Sequence, residues 1–89
     1  MNTLTYFVYV LQSAKDRMLY VGRTNNLERR LSQHEAGESK STSPRRPYRL
    51  LHYEAFLKEA DAERREHYLK STVGRRMLKL ILRDTLRDY

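Results

Sequence analysis

The sequence contains no cysteine. Disulfides therefore cannot staple the fold, and a thiolate zinc site is excluded. That absence fits a reducing compartment. Long apolar stretches are missing as well: none approaches the roughly 20 residues that a bilayer-spanning helix needs. The opening Met1-Asn2-Thr3-Leu4 has neither the basic start nor the cleavage site of a secretory leader. The expectation is a soluble cytoplasmic protein with no membrane contact. Its 89 residues are close to the smallest size at which an unstapled core holds together. One domain spanning residues 1–89 is expected.

Acidic residues are outnumbered. Eleven Asp and Glu stand against 18 Lys and Arg, a formal net charge of +7. Arginine is the commoner of the two cations, and its planar fork matches phosphate oxygens better than an ammonium does. A basic, arginine-rich domain points to nucleic acid as partner. The competing explanations are a solvated basic surface and an acidic protein partner.

Tyr6 to Leu11 is a continuous apolar and aromatic run, which predicts a central strand buried on both faces. After the polar turn Ala14 to Arg17, Met18 to Val21 predicts a second strand that pairs with the first as a hairpin, with Gly22 ending it. Asn25 and Glu28 have capping-box spacing and start a helix over about 26–36, with Gly37 as its stop. Glu38 to Pro47, rich in serine, proline and basic residues, predicts an exposed loop. A third strand follows within Tyr48 to Phe56, then a helix over 58–71. Gly74 is expected to break that helix, and a last one runs over 75–87. The order is ββαβαα, an α+β fold with a three-stranded antiparallel sheet and packed helices.

Three clusters could carry chemistry. Ala62, Glu66, Leu69 and Val73 fall at i, i+4, i+7 and i+11 and share one helical face. Glu66 would then lie in an apolar stripe, while Glu63 points roughly 60° away, toward solvent. A buried carboxylate costs several kcal/mol unless compensated. It is either half of an internal ion pair with arginine, or a metal ligand or raised-pKa acid. On the preceding helix, Leu27 and Leu31 form the apolar seam. Arg30 and His34, four apart beside it, would face one crevice as a phosphate clamp with a proton donor, or else decorate the surface. Tyr9 and Tyr20 lie on the two hairpin strands and can approach across it; each alone would be read as core packing with a satisfied hydroxyl.

These positions together resemble the GIY-YIG nuclease superfamily. Val8-Tyr9 and Tyr20-Val21-Gly22, the second tyrosine eleven residues after the first, match its paired motif. Arg30, His34 and Glu66 complete the residue set, and the resemblance covers nearly the whole chain. Arg65 to Lys70 followed by Gly74-Arg75-Arg76 looks like the small stand-alone bacterial branch, and the nuclease module of excision-repair proteins and homing endonucleases is similar. The resemblance implies catalytic roles for Tyr9 as general base or water-positioner and Tyr20 as the residue orienting water or phosphate. It implies that Arg30 neutralises the scissile phosphate, that His34 assists proton transfer, and that Glu66 is the sole protein metal ligand. Gly22 would let backbone approach the substrate. Two departures stand out: Phe7 replaces the glycine of the first motif, and the expectation is a chain without the separate DNA-binding domain of many members, which leaves sequence specificity open.

Phosphodiester hydrolysis builds negative charge on the phosphate and on the leaving oxygen. Arg30 can meet the first, and a cation on Glu66 the second. One carboxylate cannot build a two-metal cage, so one Mg²⁺ or Mn²⁺ keeping most of its waters is expected. A phenol of ordinary pKa near 10 is a poor base at pH 7 unless a cation lowers it; Arg23 and Lys70 are the candidates, and both are also expected to meet nucleic acid. The loop adds Lys40, Arg45 and Arg46 as phosphate contacts. The expectation is a monomeric metal-dependent endonuclease acting on DNA rather than RNA, in repair or recombination, with a protein partner as one source of specificity. The alternative is a non-catalytic nucleic-acid-binding module, or a subunit that carries this fold into a repair complex.

Overall fold

A computed structural model describes residues 4–87. Strand β1 (Tyr6–Ser13) is flanked by β2 (Leu19–Thr24) and β3 (Tyr48–Phe56), both antiparallel to it, in the order β2-β1-β3. The apolar run thus forms the central strand, and Val8 to Ser13 are buried. Helix α1 (Leu27–Glu35) follows the hairpin. A single 3-10 turn at Ser43–Arg45 precedes β3. Helices α2 (Glu59–Lys70), α3 (Thr72–Ile81) and α4 (Arg83–Arg87) complete the chain. This is the expected α+β arrangement, with one helix more than the sequence predicted.

Side chains alternate along β1, so its two faces meet different neighbours. Val8, Val10 and Val21 pack with Ala62, Leu69, Leu78 and Leu82 in one apolar cluster beneath α2 and α3. Tyr9 and Leu11 project to the opposite face, where ring contacts link Tyr9 to His34 of α1.

Several boundaries differ from expectation, each for a local reason. Gly22 does not end β2: it pairs with Tyr9, and the strand continues to Thr24. The cap of α1 is Asn26 rather than Asn25; its side chain accepts a hydrogen bond from the backbone N–H of Arg29 at 3.0 Å. Leu27 and Leu31 are only half-buried, and the one fully buried residue of α1 is His34. The polar edge of this helix, not its leucine seam, carries the packing.

Ser71, not Gly74, separates the second and third helices. Its N–H and Oγ both donate to the Tyr68 carbonyl, and its Oγ accepts from the Gly74 N–H at 3.1 Å. One serine thereby closes α2 and caps α3. The turn resets the helical phase, so Val73, expected on the buried face, is 58% exposed. A second interruption at Leu82 divides the predicted 75–87 helix into α3 and α4.

Gly74 has another use. A Cβ there would lie 2.7 Å from the Leu69 Cα and closer still to the Tyr68 carbonyl oxygen. The missing side chain lets α3 start directly against the end of α2. Alanine ordinarily favours a helix over glycine by about 1 kcal/mol. Here Gly74→Ala should instead destabilise the protein by about 2 kcal/mol or more, because backbone atoms must move. Urea denaturation checks this; a variant as stable as the parent would contradict the close approach.

Candidate active site

The hairpin register builds the first half of the site. Tyr9 faces Gly22 across the β1–β2 ladder, and Leu11 faces Tyr20, so Tyr9 and Tyr20 are diagonal neighbours on one face. Their rings stand 6.3 Å apart. A Cβ on Gly22 would fall 2.5 Å from Tyr9 Cζ and would overlap its hydroxyl. Gly22 therefore makes room for the phenol, which lies across β2 with its hydroxyl over this edge strand. That packing duty is distinct from the backbone approach to substrate that the resemblance implied.

Helix α1 supplies the second half. The Tyr9 hydroxyl is 2.9 Å from His34 Nε2 and accepts from Arg30 Nε at 3.3 Å. Tyr9 and His34 are each 1% exposed. His34 also packs edge-on to Tyr20 at 5.2 Å and lies 6.3 Å from the Tyr48 ring. Its other nitrogen, Nδ1, is 2.8 Å from the Thr42 hydroxyl. Arg30 further donates to Gln33 Oε1 at 3.0 Å. The expected pair, Arg30 and His34, thus converges on one atom, the Tyr9 oxygen. Nothing in the spacing singled out Thr42 or Tyr48; Thr42 reaches the cluster through the loop before β3, and Tyr48 from the first position of that strand.

Burial and charge set the protonation states. Burial, followed by the charge of Arg30, pushes His34 down to about 4, so the imidazole is neutral at pH 7. Burial raises Tyr9 to about 12; the hydrogen bond and charge of Arg30 oppose it, while Tyr20 and Glu66 add to it. Burial disfavours the Arg30 charge, but its contacts with Tyr9 and Tyr20 outweigh this and raise its pKa. The cation bonded to the phenol is Arg30, neither Arg23 nor Lys70, and it does not bring the phenol below its ordinary value.

Glu66 comes to the same sheet edge from the other face. It lies on α2, its side chain 12% exposed, with Oε1 3.3 Å from Arg23 Nε and Oε2 3.0 Å from Lys70 Nζ. Arg23 is adjacent to Gly22 on β2, so the carboxylate and the phenol flank one stretch of edge strand. The expectation of an isolated carboxylate in an apolar stripe does not hold: Arg23 and Lys70 compensate it. Arg23 also reaches Glu59 and Glu63, at 3.9 and 3.8 Å. Glu63 is exposed, as the helical geometry predicted.

No three His, Asp or Glu side chains among the described residues converge as a metal cage. The chain does offer one carboxylate. Glu66 Oε2 already accepts the ammonium of the half-exposed Lys70, so a cation can reach this oxygen, and a lone carboxylate suits a divalent ion that keeps most of its waters.

The loop cations have separate placements. Lys40 is exposed. Arg45 pairs with Asp16 at 3.3 Å, and its carbonyl accepts from Ser13 Oγ at 2.6 Å. Arg46 donates to the carbonyls of Glu35 and Ser43. On the far side of the sheet, a group the sequence reading passed over joins β3 to α2. Arg65 grips Glu54 with both Nε and Nη2, and His52 is 2.9 Å from the same carboxylate. Burial would raise Glu54, but these partners hold it below the ordinary range.

This constellation has relatives. The GIY-YIG catalytic domain matches residues 5–79, and the chain belongs to the GIY-YIG family, a nuclease family whose members are generally dependent on a divalent metal. Its relatives there are UPF0213 proteins. One from Natronomonas pharaonis is 42% identical over 81 residues, covering 90% of this chain and 94% of the relative. One from Clostridium perfringens is 37% identical over 83 residues, covering 92% and 88%. The solution NMR structure of a UPF0213 protein from Bacillus halodurans superposes with a TM-score of 0.54 at 33% identity, covering 86% of this chain and 82% of that one. No helix among the described residues is long and apolar enough to cross a membrane.

The neutral state of His34 has a consequence for stability. In the unfolded chain an imidazole titrates near 6.5; in the fold it does so at about 4. The unfolded state therefore binds a proton first, and the stabilisation present above pH 6.5 is lost as the pH falls toward 4. The loss should reach up to about 3 kcal/mol. Denaturation followed at pH 7 and at pH 4.5 checks this, and His34→Gln should flatten the dependence. An unchanged slope in the variant would place the loss elsewhere.

Proposed function

We propose that the protein is a single-metal endonuclease that hydrolyses phosphodiester bonds in nucleic acid, with DNA favoured as substrate. The observation that carries this reading is the convergence of Arg30 and His34 on the buried Tyr9 hydroxyl.

In this reading Arg30 leaves its long bond to Tyr9 for an oxygen of the scissile phosphate, where its fork neutralises charge. That movement frees a lone pair on the Tyr9 oxygen. The attacking water forms a bond to phosphorus while its proton passes to Tyr9. The proton already on Tyr9 passes to His34 Nε2. The bond to the leaving oxygen breaks with its electron pair, and solvent protonates that oxygen. Tyr20, half-buried at the rim, orients the water. Glu66 would hold a divalent ion such as Mg²⁺ or Mn²⁺, which would supply charge neutralisation at the leaving oxygen.

The relay needs no free phenolate, because the Tyr9 hydroxyl passes one proton to His34 as it receives another from water, and the neutral imidazole lies 2.9 Å away to take it.

One observation favours a second reading, a nucleic-acid-binding module without turnover: Glu66 is already paired with Arg23 and Lys70. Glu66→Gln separates the two. For the enzyme, the variant keeps nucleic-acid affinity, loses cleavage by about 100-fold or more, and no longer gains melting temperature on adding Mg²⁺. For the binder, it loses on the order of 1–3 kcal/mol in metal-free buffer, and affinity falls with stability. A melt, a binding isotherm and a cleavage assay on nicked, branched and single-stranded substrates read all three.

Substrate binding is assigned to Gly22, Arg23, Lys40, Arg45, Arg46 and Lys70, around the site. Lys40 and Arg45 are exposed and their side chains make no bond to the loop's own backbone; Arg45 would exchange its ion pair with Asp16 for a phosphate. Lys40→Ala with Arg45→Ala should lower the salt slope of duplex DNA binding by about 0.9 per lost contact. An unchanged slope and affinity would remove the loop from the binding surface.

A further inference from the structure

We infer that Thr42 is a positioning residue for the reaction: its hydroxyl fixes the tautomer of His34 so that a bare Nε2 faces Tyr9. This inference rests on the nuclease reading for its catalytic consequence, but the tautomer itself is a property of the free protein.

Thr42 is fully buried. It stands at the cap position of the 3-10 turn, where a threonine side chain ordinarily accepts from the backbone of the helix it starts. Here the side chain makes no such bond. Its Oγ1 instead lies 2.8 Å from His34 Nδ1, and it donates to the Ser39 carbonyl at 3.4 Å.

A threonine hydroxyl has one hydrogen, and a carbonyl can only accept. With that hydrogen directed to Ser39, Oγ1 is left as an acceptor for His34. The hydrogen of the neutral ring must then sit on Nδ1, because a bare Nδ1 would face a bare oxygen. Nε2 carries a lone pair and accepts from the Tyr9 hydroxyl, which in turn accepts from Arg30 Nε. The order of donation runs from Arg30 through Tyr9, His34 and Thr42 to Ser39. Each member has one assignment consistent with its neighbours.

The opposite order would place a hydrogen on Nε2 pointing at the Tyr9 oxygen. His34 could then take no proton from Tyr9, and the relay would be closed. Loss of the correct tautomer in a comparable hydrogen-bonded histidine reduces turnover by as much as about 10⁴-fold. Thr42 also belongs to the same loop as Lys40 and Arg45, so the segment proposed to meet phosphate sets the state of the proton acceptor.

The test combines spectroscopy on the free protein with turnover. Nitrogen-15 NMR of the imidazole at pH 7, without metal or nucleic acid, should show His34 with a protonated Nδ1 and an unprotonated Nε2. Thr42→Val should lose this preference, and Thr42→Ser, which keeps the hydroxyl, should retain it. Cleavage should fall by about 100-fold in Thr42→Val at unchanged nucleic-acid affinity and return in Thr42→Ser. A wild-type spectrum with the hydrogen on Nε2 overturns the inference, as does a Thr42→Val spectrum identical to wild type. If Thr42→Val does not fold, the wild-type and Thr42→Ser spectra still decide it. Absence of cleavage in the wild type would overturn the nuclease reading and leave the tautomer result standing.

Discussion

A phenol hydroxyl buried on the central strand must have its hydrogen-bonding capacity met inside the protein, and the structure is arranged around meeting it. Tyr9 crosses β2 where Gly22 presents no side chain. His34 and Arg30 come down from α1 onto its oxygen. The requirement explains why α1 buries a histidine in preference to its leucines, and why the loop before β3 brings in Thr42 to complete the far side of the ring.

The opposite face follows apolar rules. Valines of β1 and β2 meet leucines of α2 and α3, and this cluster holds the sheet in place independently of the polar hub. Charge is handled there by pairing: Arg65 closes on Glu54 with two nitrogens, and Arg23 fans across three carboxylates of α2. Glu66 belongs to this network and also influences Tyr9.

The central strand was legible because a run apolar on both faces has only one place in a three-stranded sheet. The two tyrosines were legible because a hairpin closing about Lys15 and Asp16 has a register that brings them to diagonal positions on one face. Glu66 and Glu63 were separable by helical phase alone. Phase failed at Val73 because a serine cap at Ser71 restarts the count, and a cap is a local hydrogen-bond choice that periodicity does not record. It failed again on α1, where amphipathicity ranks leucine above histidine, yet a polar partner on the sheet reverses the order. Thr42 was out of reach for a related reason: its role depends on a loop returning to α1, and no spacing rule covers that. Phe7, which departs from the family motif, is accommodated edge-on against Tyr53 at 6.0 Å.

The measurement that bears most directly on the account compares Mg²⁺-dependent cleavage of a nicked duplex by the wild type and by Tyr9→Phe, with Tyr53→Phe as a surface control. The proposed relay requires the hydroxyl, so Tyr9→Phe should bind the duplex as before and cleave it at least about 100-fold more slowly, while the control cleaves normally. Cleavage by Tyr9→Phe at the wild-type rate would contradict a catalytic hub at Tyr9 and leave the cluster as packing alone.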